Sequence, residues 1–405
     1  MKNEHSKNIL LTNIGGYPSE TGGGALKIIY LLLLYGNDYN HYDFFSYDFQ
    51  SLNIKDLTLP NKSSINHSIL QQLRRKIISR SEILKAIAYS SYYSEVHLFR
   101  QGIRFKRYSQ KKSWDIIHSH STIAMDYLKN SKAKKILSIH SKGCVTFDLM
   151  NNASGVKFNA RTIKKLANAE KRAIKSSDIV TFPSNAAKKI FFKEIDNSLF
   201  ANKQIEIVYN GIEISKIKKL DYDHNFKEKN HHKTTFLNIA NHIAPKNIKV
   251  LVEVFNVLVN KLNRKDFILY NIGWGPQTEE ISKLISKYNL KNNFVLLGKL
   301  KNSETLKILK SVDYFITFAE RVIFDLVVLE ALAAGVTIIA SNNGGNKEAI
   351  INNYNGYLID LTSIKNVAHF LNNIKKINKV KILKSAEKFS VEKMVEEYNK
   401  LYNKT

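Results

Sequence analysis

Short apolar runs with polar ends alternate along this chain with longer segments of helical period. That alternation restricts the fold more than any other feature. NILLTNI (8–14) runs into a glycine loop and then ALKIIYLLLLYG (25–36), and HYDFFSYD follows at 41–48. After a basic helical stretch at 65–112 come WDIIHSHS, KKILSIHSK, SDIVTFPS and IEIVYNG, each followed by helix or turn. Strands separated by segments long enough for a crossover helix form parallel sheets. The pattern restarts with TFLNIAN, FILYNIGWG, NFVLLGKL, DYFITF, VTIIAS and NGYLID, and closes on the amphipathic tail SVEKMVEEYNKLYNK. The expectation is therefore an α/β protein of two Rossmann-like domains facing each other across a cleft. We place them at 1–215 and 216–387, with a helix at 388–405 packing back on the first. The polar stretch DYDHNFKEKNHHKTT (221–235) has the composition of a linker.

At 405 residues with 44% hydrophobic content, the chain has enough apolar material for two such cores. Its 62 Lys and Arg against 35 Asp and Glu leave +27, which favours polyanions or phosphorylated ligands without choosing among them. No nucleic-acid module motif is present, so nucleic acid is not an expected partner. The one cysteine, Cys144, excludes an intramolecular disulfide and fits a cytoplasmic setting. IIYLLLLYG is too short to span a bilayer, which takes about 20 apolar residues.

In open α/β sheets ligands sit at the carboxyl ends of strands, so the loops there carry the chemistry. GGYPSETGGGALK (15–27) brings glycine amides to a helix start, where an anion can approach closely. His118 and His120 alternate at the end of one strand, and His140 ends the next. His118 fits a hydrogen-bonded structural role, and His120 is the better candidate to touch substrate. Metal-ligand spacing is absent around them. NHIAPKN (241–247) places Lys246 near a helix start, where a bound phosphate would offset the unfavourable charge. IGWGPQ (272–277) and SNNGGN (341–346) are further turns after strands, the second offering amides to a ligand. Within AERVIFDLVVLEALAAG (319–335), Glu330 is a carboxylate in an apolar run and needs a partner.

These landmarks, in this order, resemble the retaining glycosyltransferases of family 4 (GT4), which have the GT-B fold. LEALAAGVTIIASNNGGNKEAI is similar to the family's most typical stretch, and the GGG loop, DIIHSHS, YNGIE and IGWGP match in order. The resemblance implies a nucleotide-sugar donor, a glycan or lipid-linked acceptor, and no metal or other cofactor. It implies that Glu330 binds the ribose hydroxyls as the second Glu of a Glu-x7-Glu motif, that Lys246 holds the donor diphosphate, and that His120 contacts the transferred sugar. Gly23, Gly24, Asn241, Gly273, Glu320, Arg321, Phe324, Asp325 and Leu326 fall on the donor side, and His118 and His140 on the acceptor side. Two positions depart from the pattern. Val322 stands where the motif's first Glu belongs, with Glu320 two residues early, and Asn241 stands where an Arg is usual. Arg321 is a candidate to supply the missing charge. These departures support a rival expectation, a non-catalytic GT-B partner of an active transferase.

Residues 73–112 carry 11 Lys or Arg against 2 Asp or Glu, interleaved with Tyr89, Tyr92, Tyr93, Phe99 and Phe105. Such a segment suits attachment to an anionic membrane surface, on the inner face of the plasma membrane. The implied role is a UDP-sugar-dependent enzyme of lipopolysaccharide, capsule or related polysaccharide synthesis.

Overall fold

A computed structural model describes residues 6–14, 18–20, 24–46, 102–144 and 159–404. The chain divides into two compact units, one of residues 1–209 with 395–405 and the other of 210–394.

Among the described residues, the first unit holds six parallel strands in the order β2-β1-β3-β4-β5-β6. They are β1 (Asn8–Thr12), β2 (His41–Phe45), β3 (Ile116–Ser119), β4 (Lys134–Ser138), β5 (Ile179–Phe182) and β6 (Gln204–Ile207). Every residue of β3 and β5 is buried, as expected of strands covered on both faces. Helix α1 (Ala25–Tyr35) follows β1, α2 (Thr122–Leu128) follows β3, and α3 (Ala160–Ser176) leads into β5. Helix α2 starts where Ser121 accepts from the Ala124 amide at 3.3 Å, a side-chain cap on the first turn. Arg172 of α3 then makes two hydrogen bonds to Asp126 of α2, at 2.9 and 2.8 Å, joining the two helices.

The second unit has six parallel strands in the order β12-β11-β10-β7-β8-β9. They are β7 (Thr234–Ile239), β8 (Phe267–Ile272), β9 (Phe294–Gly298), β10 (Tyr314–Thr317), β11 (Thr337–Ser341) and β12 (Gly356–Ile359). Its core gathers Phe236, Phe255, Phe267, Phe294 and Phe318, each 2% exposed or less. Burying one such ring contributes roughly 2–3 kcal/mol. The strand order matters for function. The chain lays β7, β8 and β9 outward in one direction, then returns to place β10 on the other side of β7. The switch point thus lies between β7 and β10, and in open α/β sheets ligands bind at the carboxyl ends of the strands at such a point.

Helix α4 (Ile248–Asn256) follows β7, α5 (Thr278–Lys287) follows β8, and α6 (Leu326–Ala334) follows β10. The final helix, α7 (Val391–Asn403), begins in the second unit and ends in the first. The stretch 221–235 is not a linker. Asp223 caps a short helix (His224–Lys229), the Phe226 ring meets Tyr270 at 4.7 Å, and buried Asn230 accepts from the Tyr270 hydroxyl at 2.7 Å. Its polar composition is used in hydrogen bonds within the second unit. Among the described residues, no helix is long and apolar enough to cross a membrane.

Candidate active site

Two loops meet at the β7–β10 switch point. The first leaves β7 at Ile239 and turns through Asn241 and His242. His242 is 1% exposed. Its Nε2 donates to Asn271 Oδ1 at 2.6 Å, Asn271 donates to Asn238 at 2.8 Å, and Asn238 donates to the Ile316 carbonyl at 2.7 Å. This chain of buried hydrogen bonds crosses β8, β7 and β10 and fixes the turn that leads to Lys246. Sequence reasoning passed over His242; its only signal is an imidazole beside two strands that each bury an asparagine. Gly273 closes the same turn from β8. A Cβ there would lie 1.9 Å from the Ala240 carbonyl oxygen, and the Gly273 amide already donates to Gly298 at 2.8 Å. Close packing thus requires glycine at 273.

Lys246 ends a single 3-10 turn (Ala244–Lys246) just before α4. Asn247 follows in the left-handed region at φ 50°, a conformation asparagine tolerates better than most residues. Its amide nitrogen donates to the Phe318 carbonyl at 3.1 Å and to Glu320 Oε1 at 2.9 Å. The Glu320 amide returns a 2.7 Å bond to the Pro245 carbonyl. Lys246 Nζ reaches Asp325 Oδ2 at 2.7 Å, with the two side chains 19% and 22% exposed. The structure thus brings Lys246, Asn247, Glu320 and Asp325 together. Asn241 is exposed at the start of the same loop.

The second loop, 319–325, is braced by the loop after β11. Ser341 Oγ and Asn343 Nδ2 both donate to the Ala319 carbonyl, at 2.5 and 3.1 Å, and the Gly345 amide donates to Val322 at 2.8 Å. Gly344 has φ 53°, and a Cβ on it would lie 2.0 Å from the Val322 carbonyl oxygen. Only glycine fits so close an approach. The amides of Asn342, Asn343 and Gly345 all bond within the protein. These three amides of SNNGGN are thus engaged within the protein, and the turn supports the neighbouring loop. Val322 is 2% exposed, so the position of the missing Glu points into packed protein. Arg321, beside it, is exposed with φ 49°. Phe324 is 5% exposed and packs edge-on against Phe389 at 5.3 Å, a core role in place of the donor contact expected. Leu326 opens α6, and Glu330 lies one turn further on, 6% exposed, in a helix buried continuously from Val328 to Ala334.

In the first unit the three histidines form one buried cluster. His118 is fully buried, with Nδ1 on the Tyr402 hydroxyl at 2.8 Å and Nε2 on Ser138 at 2.7 Å. Both ring nitrogens are taken, so His118 is structural and not an acceptor contact. Ser138 extends the network to Thr181 at 2.6 Å and Tyr398 at 3.2 Å, tying the end of α7 to β3, β4 and β5. His120 Nδ1 pairs with His140 Nε2 at 2.9 Å. Its other nitrogen, Nε2, is buried and has no partner in the protein. Leaving such an atom unsatisfied costs roughly 1–3 kcal/mol, a cost a ligand hydroxyl would remove. Burial lowers all three imidazole pKa values, that of His118 to about 3 and that of His140 to about 4. His120 is held well below its usual value by burial and then by its two imidazole neighbours. At neutral pH the cluster is uncharged, so His120 offers a hydrogen bond and no charge. Gly24 is the exposed cap residue of α1. Gly23 and residues 73–101 of the basic segment lie outside the described residues. Among the described residues, no group of three or more His, Cys, Asp or Glu is arranged to hold a metal ion.

Residues 221–391 match the model of glycosyl transferases group 1, and residues 69–216 match that of glycosyltransferase family 4. The chain belongs to the family 4, group 1 glycosyltransferases. An uncharacterised glycosyltransferase of Methanocaldococcus jannaschii is 28% identical over 284 residues, 67% of this chain and 69% of that one. A capsular polysaccharide biosynthesis glycosyltransferase of Staphylococcus aureus is 26% identical over 276 residues, 67% of this chain and 71% of its own length. The UDP-Gal:alpha-D-GlcNAc-diphosphoundecaprenol alpha-1,3-galactosyltransferase of Escherichia coli is 23% identical over 299 residues, 72% and 73% of the two chains. Among solved structures, sucrose-phosphate synthase from Thermosynechococcus elongatus aligns over 98% of both chains with a TM-score of 0.69 at 15% identity. The fold of this glycosyltransferase is accordingly GT-B, with two Rossmann-like domains.

Proposed function

We propose that this glycosyltransferase moves a sugar from a UDP-sugar to a lipid-linked or surface-glycan acceptor, with retention, in the synthesis of a cell-surface polysaccharide such as lipopolysaccharide or capsule. One observation carries the reading: Lys246 and the loop leading to Glu330 converge on the β7–β10 switch point, where α/β sheets take their ligands. The acceptor class is supported by the diphosphoundecaprenol substrate in the E. coli relative's name.

In this reading the bond between the sugar's anomeric carbon and the diphosphate oxygen breaks, and an acceptor hydroxyl oxygen takes its place on that carbon. The hydroxyl proton leaves with the departing phosphate or to water. Lys246 stabilises the charge that develops on the leaving diphosphate. Glu330 accepts hydrogen bonds from the two ribose hydroxyls, which suits a carboxylate with little access to water. His120 Nε2 bonds a hydroxyl of the transferred sugar. The cationic side chain carries the charge stabilisation, with no metal in the scheme. Residues 73–112 hold the enzyme on the anionic inner face of the plasma membrane.

Release of nucleoside diphosphate from a panel of donors, with added membrane lipid, tests the assignment, with Glu330→Ala and Lys246→Ala as controls. Turnover of a UDP-sugar that both substitutions abolish is the expected result. Val322, packed inside the donor loop, favours a second reading, a non-catalytic partner of an active transferase. Normal donor binding with no turnover of any donor would select that reading. Sedimentation with vesicles tests the membrane contact, and equal partitioning onto neutral and anionic liposomes would sink it.

A further inference from the structure

Asp325 is the cap residue of α6, yet its side chain makes no cap hydrogen bond. Aspartate at this position usually turns its carboxylate onto the amides of the first turn. Here the carboxylate is committed to Lys246 at 2.7 Å, and both groups are mostly sheltered from water. The pair sums to zero charge at the point where the donor's diphosphate needs a cation. Asn241, at the start of the same loop, adds none.

We infer that Asp325 is a built-in competitor for the seat on Lys246 that a donor diphosphate takes, so that donor binding exchanges one anion for another. The inference rests on the reading of Lys246 as the diphosphate contact. The exchange has a low-cost route: the Val328 amide already donates to the Asp325 carbonyl at 3.1 Å, and a carboxylate displaced from Lys246 can rotate onto the Val327 amide beside it, a capping bond worth about 1 kcal/mol. The reverse motion returns the carboxylate to Lys246 after sugar transfer and helps expel the nucleoside diphosphate. Asp325 thereby weakens ground-state binding of donor and product together and speeds product release.

Asp325→Asn tests this. Asparagine is isosteric and an equally good cap, so the variant folds, which a thermal melt verifies. Calorimetric titration with UDP, GDP and inorganic pyrophosphate, against uridine as a phosphate-free control, gives the affinities. Expected for Asp325→Asn is binding of the diphosphate ligand at least tenfold tighter, with uridine unchanged. In turnover the donor KM and kcat both fall, and product inhibition tightens. Lys246→Met shifts the affinity in the opposite direction. An affinity within twofold of the unmodified protein, or one weakened as in Lys246→Met, overturns the inference and leaves Asp325 as a group that merely orients the lysine. If the folded protein and both variants bind none of the three diphosphate probes, the reading of Lys246 itself fails and the inference goes with it.

Discussion

Acidification probes the histidine cluster directly. In an unfolded chain histidine titrates near 6.5. In the fold His118 is held near 3, first by burial and then by His140, and His140 near 4 by burial. Both folded values lie below the unfolded one. Between about pH 6.5 and 4 the unfolded chain therefore binds protons that the native state refuses, and stability falls as pH falls. At pH 5, about 1.5 below the unfolded value, each of these two histidines costs about 2 kcal/mol, so the pair costs about 4 kcal/mol. His120 shifts in the same direction and adds to the loss. Above about pH 8, where the unfolded histidines are also neutral, the three contribute almost no pH dependence. The loss should concentrate in the first unit, because His118 joins β3 to α7 through Tyr402. Hydrogen exchange at the α7 amides, with urea unfolding followed by circular dichroism at pH 7.5, 6 and 5, measures it. A His118→Asn variant should lose about 1.4 kcal/mol per pH unit of the slope, whatever its absolute stability. Stability unchanged between pH 7.5 and 5, or a variant that keeps the full slope, would refute the claim that the buried cluster stays neutral.

Gly344→Ala should destabilise the second unit by about 2 kcal/mol or more, because the new methyl meets the Val322 carbonyl and the left-handed backbone costs about 1–2 kcal/mol by itself; a lowered melting temperature with a weakened donor KM is the expected pair of results. Val322→Glu should not restore a family-like site: burying a carboxylate at a position 2% exposed costs several kcal/mol, visible as a lower melting temperature with no gain in turnover. Glu330→Gln should keep the fold and lower kcat/KM for the donor by roughly 10- to 100-fold, about 1.4–2.7 kcal/mol, read from donor titrations of initial rate.

The two-sheet architecture was legible because the apolar runs are short and regularly spaced, and because parallel strands buried on both faces leave few other arrangements for such a pattern. Lys246 was legible for a related reason: a lysine just ahead of a helix start is electrostatically misplaced until it has an anion. The stretch 221–235 was misread because composition does not say where a polar side chain finds its partner. Asn230 and Asp223 look like linker residues until Tyr270 and the amide of Phe226 are placed beside them. His118 and His120 show the same limit within one strand end. Both are imidazoles two residues apart, and only the arrival of Tyr402 from the far end of the chain separates the satisfied ring from the one with a nitrogen still unpaired.

The departures at 241 and 322 look in sequence like two independent losses, and the fold connects them. The loop carrying Val322 is held by Ser341, Asn343 and Gly345 with its valine turned inward, so a carboxylate at 322 has no open direction to face. The carboxylates nearest in sequence have taken places on the other loop: Glu320 holds Asn247 and Asp325 holds Lys246. Acidic groups therefore remain at the switch point, but they bind the cationic turn itself. An arginine at 241 would add charge to a loop whose lysine, Lys246, is already paired with Asp325. If Lys246 takes the donor diphosphate as proposed, the physical consequence is a site whose affinity for that group is set by competition with its own Asp325, an anion the substrate has to displace.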